Sequence, residues 1–333
     1  MGAPYPWQAA QWAQCQQRFH TGTLPHALLL SGQHGLGKLE FARWFARFLL
    51  CKSPGEMACG HCRACHLLSV GNHPDYLETT PEETNQQIKV DQIRELNYFI
   101  GLTSSLSCYK VALVVSPEQM NRNAANSLLK TLEEPPAFTL IMLITAQRAS
   151  LPATVISRCQ QIAFNIPPRD IAAAWLKRQV PAGDADALLA LSHGAPLRAL
   201  EMSAGDWLDA RRLVCKDATR LANALESPIT VAGRWRQYAP RLLLEWLLSW
   251  LTDMIKLCLS GAFNCLTNPD IDRGLRALAE RIDSEVLFAL YDTVLYHRRL
   301  QHASLNQQLV IEEIALAWAA AFKSRRGHYN DGY

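Results

Sequence analysis

The chain has 333 residues, of which 49% are hydrophobic and 19% charged, with a formal net charge of +3. That is enough apolar mass for two or three domains, and too even a charge balance for a dedicated nucleic-acid binder, whose phosphate contacts call for a pronounced basic excess. The N-terminus shows no basic stretch followed by an apolar core, so the chain is expected to stay in the cytoplasm and its ten cysteines are not expected to form a disulfide framework.

Residues 24–51 read LPHALLLSGQHGLGKLEFARWFARFLLC, in the order strand (27–30), glycine loop (32–38) and helix (39–50), the helix burying Phe41, Phe45, Phe48 and Leu49. The loop GQHGLGK fits the phosphate-binding pattern G-x-x-x-x-G-K through Gly32, Gly37 and Lys38. Backbone N–H groups at the start of a helix favour an anion, and Lys38 adds a point charge. The next position, where a Ser or Thr hydroxyl would hold Mg²⁺, is Leu39. Cys51, Cys59, Cys62 and Cys65 then follow as C-x7-C-x2-C-x2-C. Four soft thiolates at short spacing suit tetrahedral Zn²⁺ and leave no open position for catalysis, so the site is read as structural. Such a site contributes roughly 10–16 kcal/mol to its local fold. His61 and His66 are read as spectators. Cys15, Cys108, Cys159, Cys215, Cys258 and Cys265 are read as small buried hydrophobes.

Residues 88–102, IKVDQIRELNYFIGL, read as a helix with Asp91 as N-cap and Ile93, Leu96 and Ile100 inward. KVALVV (110–115) is a strand. A helix over 126–134 is stopped by Pro135-Pro136, and the apolar run 138–145 is a buried strand ending in Thr145. Leu151-Pro152 restarts a short helix that delivers Ser157-Arg158-Cys159, and 160–164 is the last strand. Pro167-Pro168 marks a linker, after which 169–204 holds three short helices. In 242–261, Glu245, Asp253 and Lys256 interrupt the most apolar stretch. Leu243, Leu247, Trp250, Met254 and Leu257 fall on one side and Glu245, Ser249, Asp253, Lys256 and Ser260 on the other, which describes an amphipathic core helix and no membrane span. Trp207, Trp235, Trp246, Trp250 and Trp318 are read as core anchors. The last long helix covers 304–323 with Leu309, Ile314, Leu316 and Trp318, and the tail 324–333 is polar and loose.

The N-x-LLKTLEEPP helix followed by Ser157-Arg158-Cys159, the four-cysteine module, His73-Pro74-Asp75 and the I-x-V-x-x-I-R segment together resemble the clamp-loader branch of the AAA+ ATPases. The likeness runs through the whole chain in order, with its specific motifs in the first half. It implies an α/β AAA+ P-loop-type domain of RecA-like form over 1–166, a parallel sheet carrying the zinc module. A three-helix lid over 167–206 and an all-α collar for oligomerisation over 207–333 would follow. It also implies that Arg158, flanked by Ser157 and Cys159, is an arginine finger acting in trans on the ATP site of the next subunit. A guanidinium so placed is worth roughly 10³–10⁵ in rate, because it is planar and always ionised where charge develops.

At the family spacing, the Walker B Asp and Glu positions fall on Val115 and Ser116, with Glu118 two residues out of register. Thr145 takes the sensor 1 place and Arg198 the sensor 2 place, where it is expected to pair with Glu201 or face solvent. With Leu39, these losses mark the stator-like members of the branch. The resemblance thus implies no intrinsic ATPase, a degenerate loop at Gly32, Gly37 and Lys38, and ATP bound by partner subunits instead. The implied partners are motor ATPase subunits and the delta subunit, and, through the complex, the sliding clamp and primer-template DNA. Two other readings stay open: an active motor ATPase subunit of the same complex, and a zinc-dependent nucleic-acid adaptor.

Overall fold

The computed structural model describes residues 3–82, 87–180, 185–204, 207–260, 266–300 and 306–323. Cys265, the first residues of the predicted last helix (304–305) and the predicted loose tail 324–333 lie outside the described residues. The chain divides into two compact units, one of residues up to Gln179 with Gly194–Ala199, the other of Val180–His193 with Leu200 onward.

In the first unit, α1 (Ala9–His20) leads into β1 (Ala27–Ser31), then α2 (Lys38–Leu50), α3 (Arg63–Ser69), β2 (Tyr76–Thr79), α4 (Val90–Gly101) and β3 (Lys110–Val115). There follow α5 (Arg122–Glu133), β4 (Thr139–Thr145), α6 (Ala153–Ile156), β5 (Gln160–Ala163) and α7 (Arg169–Leu176). The five strands pair in parallel in the order β2-β3-β4-β1-β5. A parallel sheet is covered on both faces, and successive side chains alternate between them, so its strands read as unbroken apolar runs. Leu28, Leu30, Val111, Leu113, Leu140 and Met142 pack with Trp12 and with Phe41, Phe45 and Phe48 of α2. Leu29, Ala112, Val114, Ile141 and Leu143 pack with α4 and α5 on the opposite face. This is the parallel sheet expected of the P-loop-type domain.

Local differences from the sequence reading have simple causes. Lys89, not Asp91, caps α4: its backbone N–H donates to Gln92 Oε1 at 2.9 Å, while Asp91 in the first turn pairs with Arg94 at 2.9 Å. Helix α5 starts earlier than read, because Asn121 caps it by accepting from the N–H of Ala124 at 2.8 Å.

The second unit contains α8 (Ala185–Leu191), α10 (Trp207–Ala222), α11 (Pro228–Trp235), α12 (Pro240–Ser260), α13 (Asp272–Ala279), α14 (Ser284–Arg299) and α15 (Gln307–Ala321), while α9 (Pro196–Ser203) contains residues of both units. Trp235, Trp246, Trp250 and Trp318 lie in its core as expected, and the Trp318 indole donates to the Ala218 carbonyl at 3.0 Å. Asp253, read as a solvent-facing residue of α12, is wholly buried. Its carboxylate accepts from the N–H of Thr267 at 3.1 Å, from the N–H and Nδ2 of Asn268 at 2.9 and 2.7 Å, and from Lys256 at 3.2 Å. Two residues of the last helix turn outward instead, Leu309 and Leu316, at 61% and 49% exposure. Cys108 and Cys258 are also exposed, unlike the buried Cys15 and Cys159. Among the described residues no helix is long and apolar enough to cross a membrane.

Asp75 ties the first unit together next to the edge strand. Its carboxylate is fully buried and accepts from the N–H groups of Ser105, Leu106 and Ser107 at 2.7, 2.7 and 2.9 Å, with Lys110 at 3.7 Å. Burial alone would push its carboxyl up, but the three N–H donors and Lys110 together hold it below the usual range. Asp75→Ala leaves those groups unpaired and should cost about 3–5 kcal/mol in urea unfolding. The native carboxyl titrates below the unfolded one, so this contribution is complete above about pH 4 and disappears as pH falls through the folded value. Unfolding curves at pH 7 and pH 3 should therefore show the gap between wild type and Asp75→Ala narrowing in acid.

Candidate functional site

The carboxyl ends of β1, β3 and β4 meet at one edge of the sheet, the place where open α/β sheets bind ligands. The glycine loop leaves β1 there and enters α2 through Gly37, whose φ of 79° is left-handed. Lys38 is almost fully buried, and its ammonium donates to the carbonyl of Gln33 in the same loop at 2.8 Å. Burial lowers its pKa to about 8, against the opposing pull of Glu118 and Glu40. Leu39 packs against the apolar layer between α2 and the sheet.

Val115, at the first Walker B position, also packs there, and Ser116 turns the chain at φ 55°. Glu118, the residue out of register, nonetheless comes to this edge. It accepts from the buried hydroxyl of Thr145 at 2.7 Å, and the Thr145 hydroxyl oxygen in turn accepts from the N–H of Gln147 at 2.9 Å. The structure therefore brings together Lys38, Glu118 and Thr145, with no side-chain hydroxyl at position 39 and no carboxylate at 115 or 116.

The sequence reading missed the segment that packs directly on the loop. Gln8 is wholly buried and donates through Nε2 to the carbonyls of Leu36 and Gly37 at 2.9 and 2.8 Å, and the Trp7 indole donates to Leu36 at 3.0 Å. Tyr5 and Trp7 stack at 4.9 Å between ring centroids, and Trp175 meets both edge-on at 5.6 and 5.3 Å. The only local signal was an aromatic pair around Pro6 with no apparent purpose. From the other side, Leu197 donates its N–H to the Gly35 carbonyl at 3.1 Å. A Cβ on Gly35 would lie 2.6 Å from that of Arg198 and 2.7 Å from its backbone nitrogen.

The four cysteines converge, their sulfurs all within 4.8 Å of one another. Cys51 and Cys62, and Cys59 and Cys65, are each 4.0 Å apart, close to the edge of about 3.8 Å that a tetrahedron with Zn–S bonds of about 2.3 Å requires. The donor set thus fits zinc. Backbone N–H groups reinforce it: Cys59 donates to Cys51 Sγ at 3.3 Å and Cys65 to Cys62 Sγ at 3.5 Å. Hydrogen bonds from His61 and Cys62 draw the Cys59 thiol down to about 6, whereas burial pushes that of Cys65 up to about 12. A metal would have to displace a proton from the second. His61 turns its Nδ1 to the Cys59 carbonyl at 2.9 Å and is not among the converging ligands.

Arg158 follows the short α6, away from the loop in sequence. Its guanidinium pairs with Glu133 at the end of α5 and donates to the Thr154 carbonyl at 2.9 Å, leaving a third of the side chain exposed.

Two family models match the chain: "DNA polymerase III, delta subunit" over residues 7–168, and "DNA polymerase III, delta subunit, C terminal" over 205–320. The DNA polymerase III subunit delta′ of Pseudomonas aeruginosa is 36% identical over 322 residues, covering 95% of this chain and 97% of that one. The subunit of the same name in Escherichia coli is 33% identical, covering 94% of each. The tau subunit of Bacillus subtilis is 36% identical over 140 residues, which is 42% of this chain and 24% of tau. Sharing a third of its residues with delta′ subunits over nearly the whole of both chains, this chain belongs to the DNA polymerase III subunit delta′ family.

Proposed function

We propose that this chain is the non-hydrolysing, stator-like subunit of a DNA polymerase III clamp loader. In this reading it works in the cytoplasm, completes a ring with motor ATPase subunits and the delta subunit, and helps to load the sliding clamp onto primed DNA. The delta′ relatives support the assembly, and the single observation that carries the catalytic part is Leu39. With its side chain against the apolar layer, the position that should supply a magnesium hydroxyl supplies none. Residues 167–206 act as the lid and 207–333 as the collar.

Arg158 is this subunit's contribution to chemistry. A motor subunit binds ATP, and Arg158 approaches the γ-phosphate from across the interface, where negative charge grows as the bond to the leaving group breaks. Glu133 holds the guanidinium meanwhile, so the side chain is aimed before a phosphate arrives and exchanges one anionic partner for another. Zinc held by Cys51, Cys59, Cys62 and Cys65 supplies no step of the reaction and secures the segment between α2 and α3.

One observation favours the alternative of an active ATPase: Glu118 and Thr145 stand at the same edge as Lys38. The purified chain with Mg²⁺ and ATP decides it, and no turnover above background is expected.

In the reconstituted complex, Arg158→Ala should reduce hydrolysis at the site it faces by roughly 10³-fold or more while the ring still assembles. Unchanged DNA-stimulated turnover would remove the trans role. Glu133→Gln should fold normally and lower turnover by a smaller factor, about tenfold, because the finger is present but less firmly aimed. For zinc, metal analysis should find one ion per chain. Cys62→Ser should lose it and unfold more easily by at least about 3 kcal/mol, a fraction of what structural zinc sites supply.

A further inference from the structure

We infer that the mouth of the glycine loop is occupied by the chain's own N-terminal strap, Tyr5-Pro6-Trp7-Gln8, which acts as an intramolecular ligand and keeps nucleotide out. The inference deepens the non-hydrolysing reading and rests on the same loop, but it concerns binding, where that reading concerns turnover.

The contacts are those of a filled site. Gln8 is wholly buried with both of its Nε2 bonds directed to the loop, at Leu36 and Gly37. Its Oε1 accepts from the N–H of Tyr5 at 3.1 Å, which closes the strap on itself. The Trp7 indole adds a third hydrogen bond to the loop. The Tyr5 ring lies so close that a Cβ on Gly37 would be 2.6 Å from its Cε2 and 2.8 Å from Gln8 Nε2. Behind the strap, Trp44 and Trp175 each meet the Tyr5 ring edge-on, at 5.2 and 5.6 Å. Aromatic pairs of this geometry contribute beyond their burial.

Lys38 completes the picture. A phosphate-binding lysine points its ammonium at the anion, whereas here it is almost fully buried and donates to Gln33 within its own loop. A nucleotide would have to displace the aromatic strap and turn the lysine away from that carbonyl. The left-handed Gly37 and the close approach at Gly35 are both accounted for by this chain's own residues, Tyr5, Gln8 and Arg198.

The test uses the full, zinc-loaded chain and a fluorescent ATP analogue with Mg²⁺. Wild type should show no saturable binding at about 1 mM, while Tyr5→Ala/Trp7→Ala and Trp175→Ala should gain at least about tenfold in affinity. Adding Lys38→Ala to the opened chain should abolish the gain. Turnover is measured on the same samples: hydrolysis by wild type would sink the non-hydrolysing reading, whereas a strap variant that binds without hydrolysing leaves both standing. The inference falls if wild type and variants bind equally, or if variants with full zinc content and cooperative unfolding still bind nothing. Hydrogen exchange on wild type needs no variant. Amides 32–39 should exchange at the same rate with and without ATP, and nucleotide-induced protection there would overturn the strap.

Discussion

A parallel sheet buried on both faces leaves its chain one place to put chemistry. Each strand must be followed by a crossover that returns the chain to the starting edge, so loops gather at the carboxyl ends, where they escape the covering helices. In the first unit that constraint sends the loop after Ser31, the turn at Ser116 and the end of β4 at Thr145 to the same edge. Residues separated by more than a hundred positions become neighbours there, and Glu118 meets Thr145 even though the motif register misses it. The same constraint makes the strands unusually apolar and easy to see.

Buried charge is handled alike in both units. Asp75 receives three backbone donors and Lys110, and Asp253 receives two backbone donors, an amide and Lys256. Arg211 is buried with Asp270 and Asn268 as partners. Each carboxylate is thereby fixed to a stretch of chain that has no regular structure of its own, so the charge specifies a loop conformation that apolar packing could not.

Features that depend on neighbours in sequence were legible. The strand runs, the glycine loop and the cysteine spacing each carry their physical reason within about twenty residues, and the structure places all three as read. What depends on distant packing was not. Asp253 sits on the polar side of α12 by its periodicity, and only the segment at Thr267 and Asn268, folding back over that side, buries it. Leu309 and Leu316 look like core by composition, yet they fall on the face of α15 that the second unit leaves uncovered. The strap was least visible, because Gln8 and Trp7 reach the loop across 28 and 29 positions, and Trp175 joins them from the far end of the first unit. Arg158 and its flanking motif could be found by resemblance. Its pairing with Glu133 could not, since nothing local links the end of α5 to the residue after α6.

Gly37 joins the glycine loop to α2. Its left-handed backbone and the side chains crowded against it would penalise any Cβ, whether or not a phosphate ever visits. Packing alone is then enough to require a glycine at this position, whatever side chain stands at residue 39. A glycine of the phosphate-loop pattern can in this way be demanded by internal packing alone. Whether such a motif is functional is better judged by who occupies the space beside its glycines than by the glycines themselves.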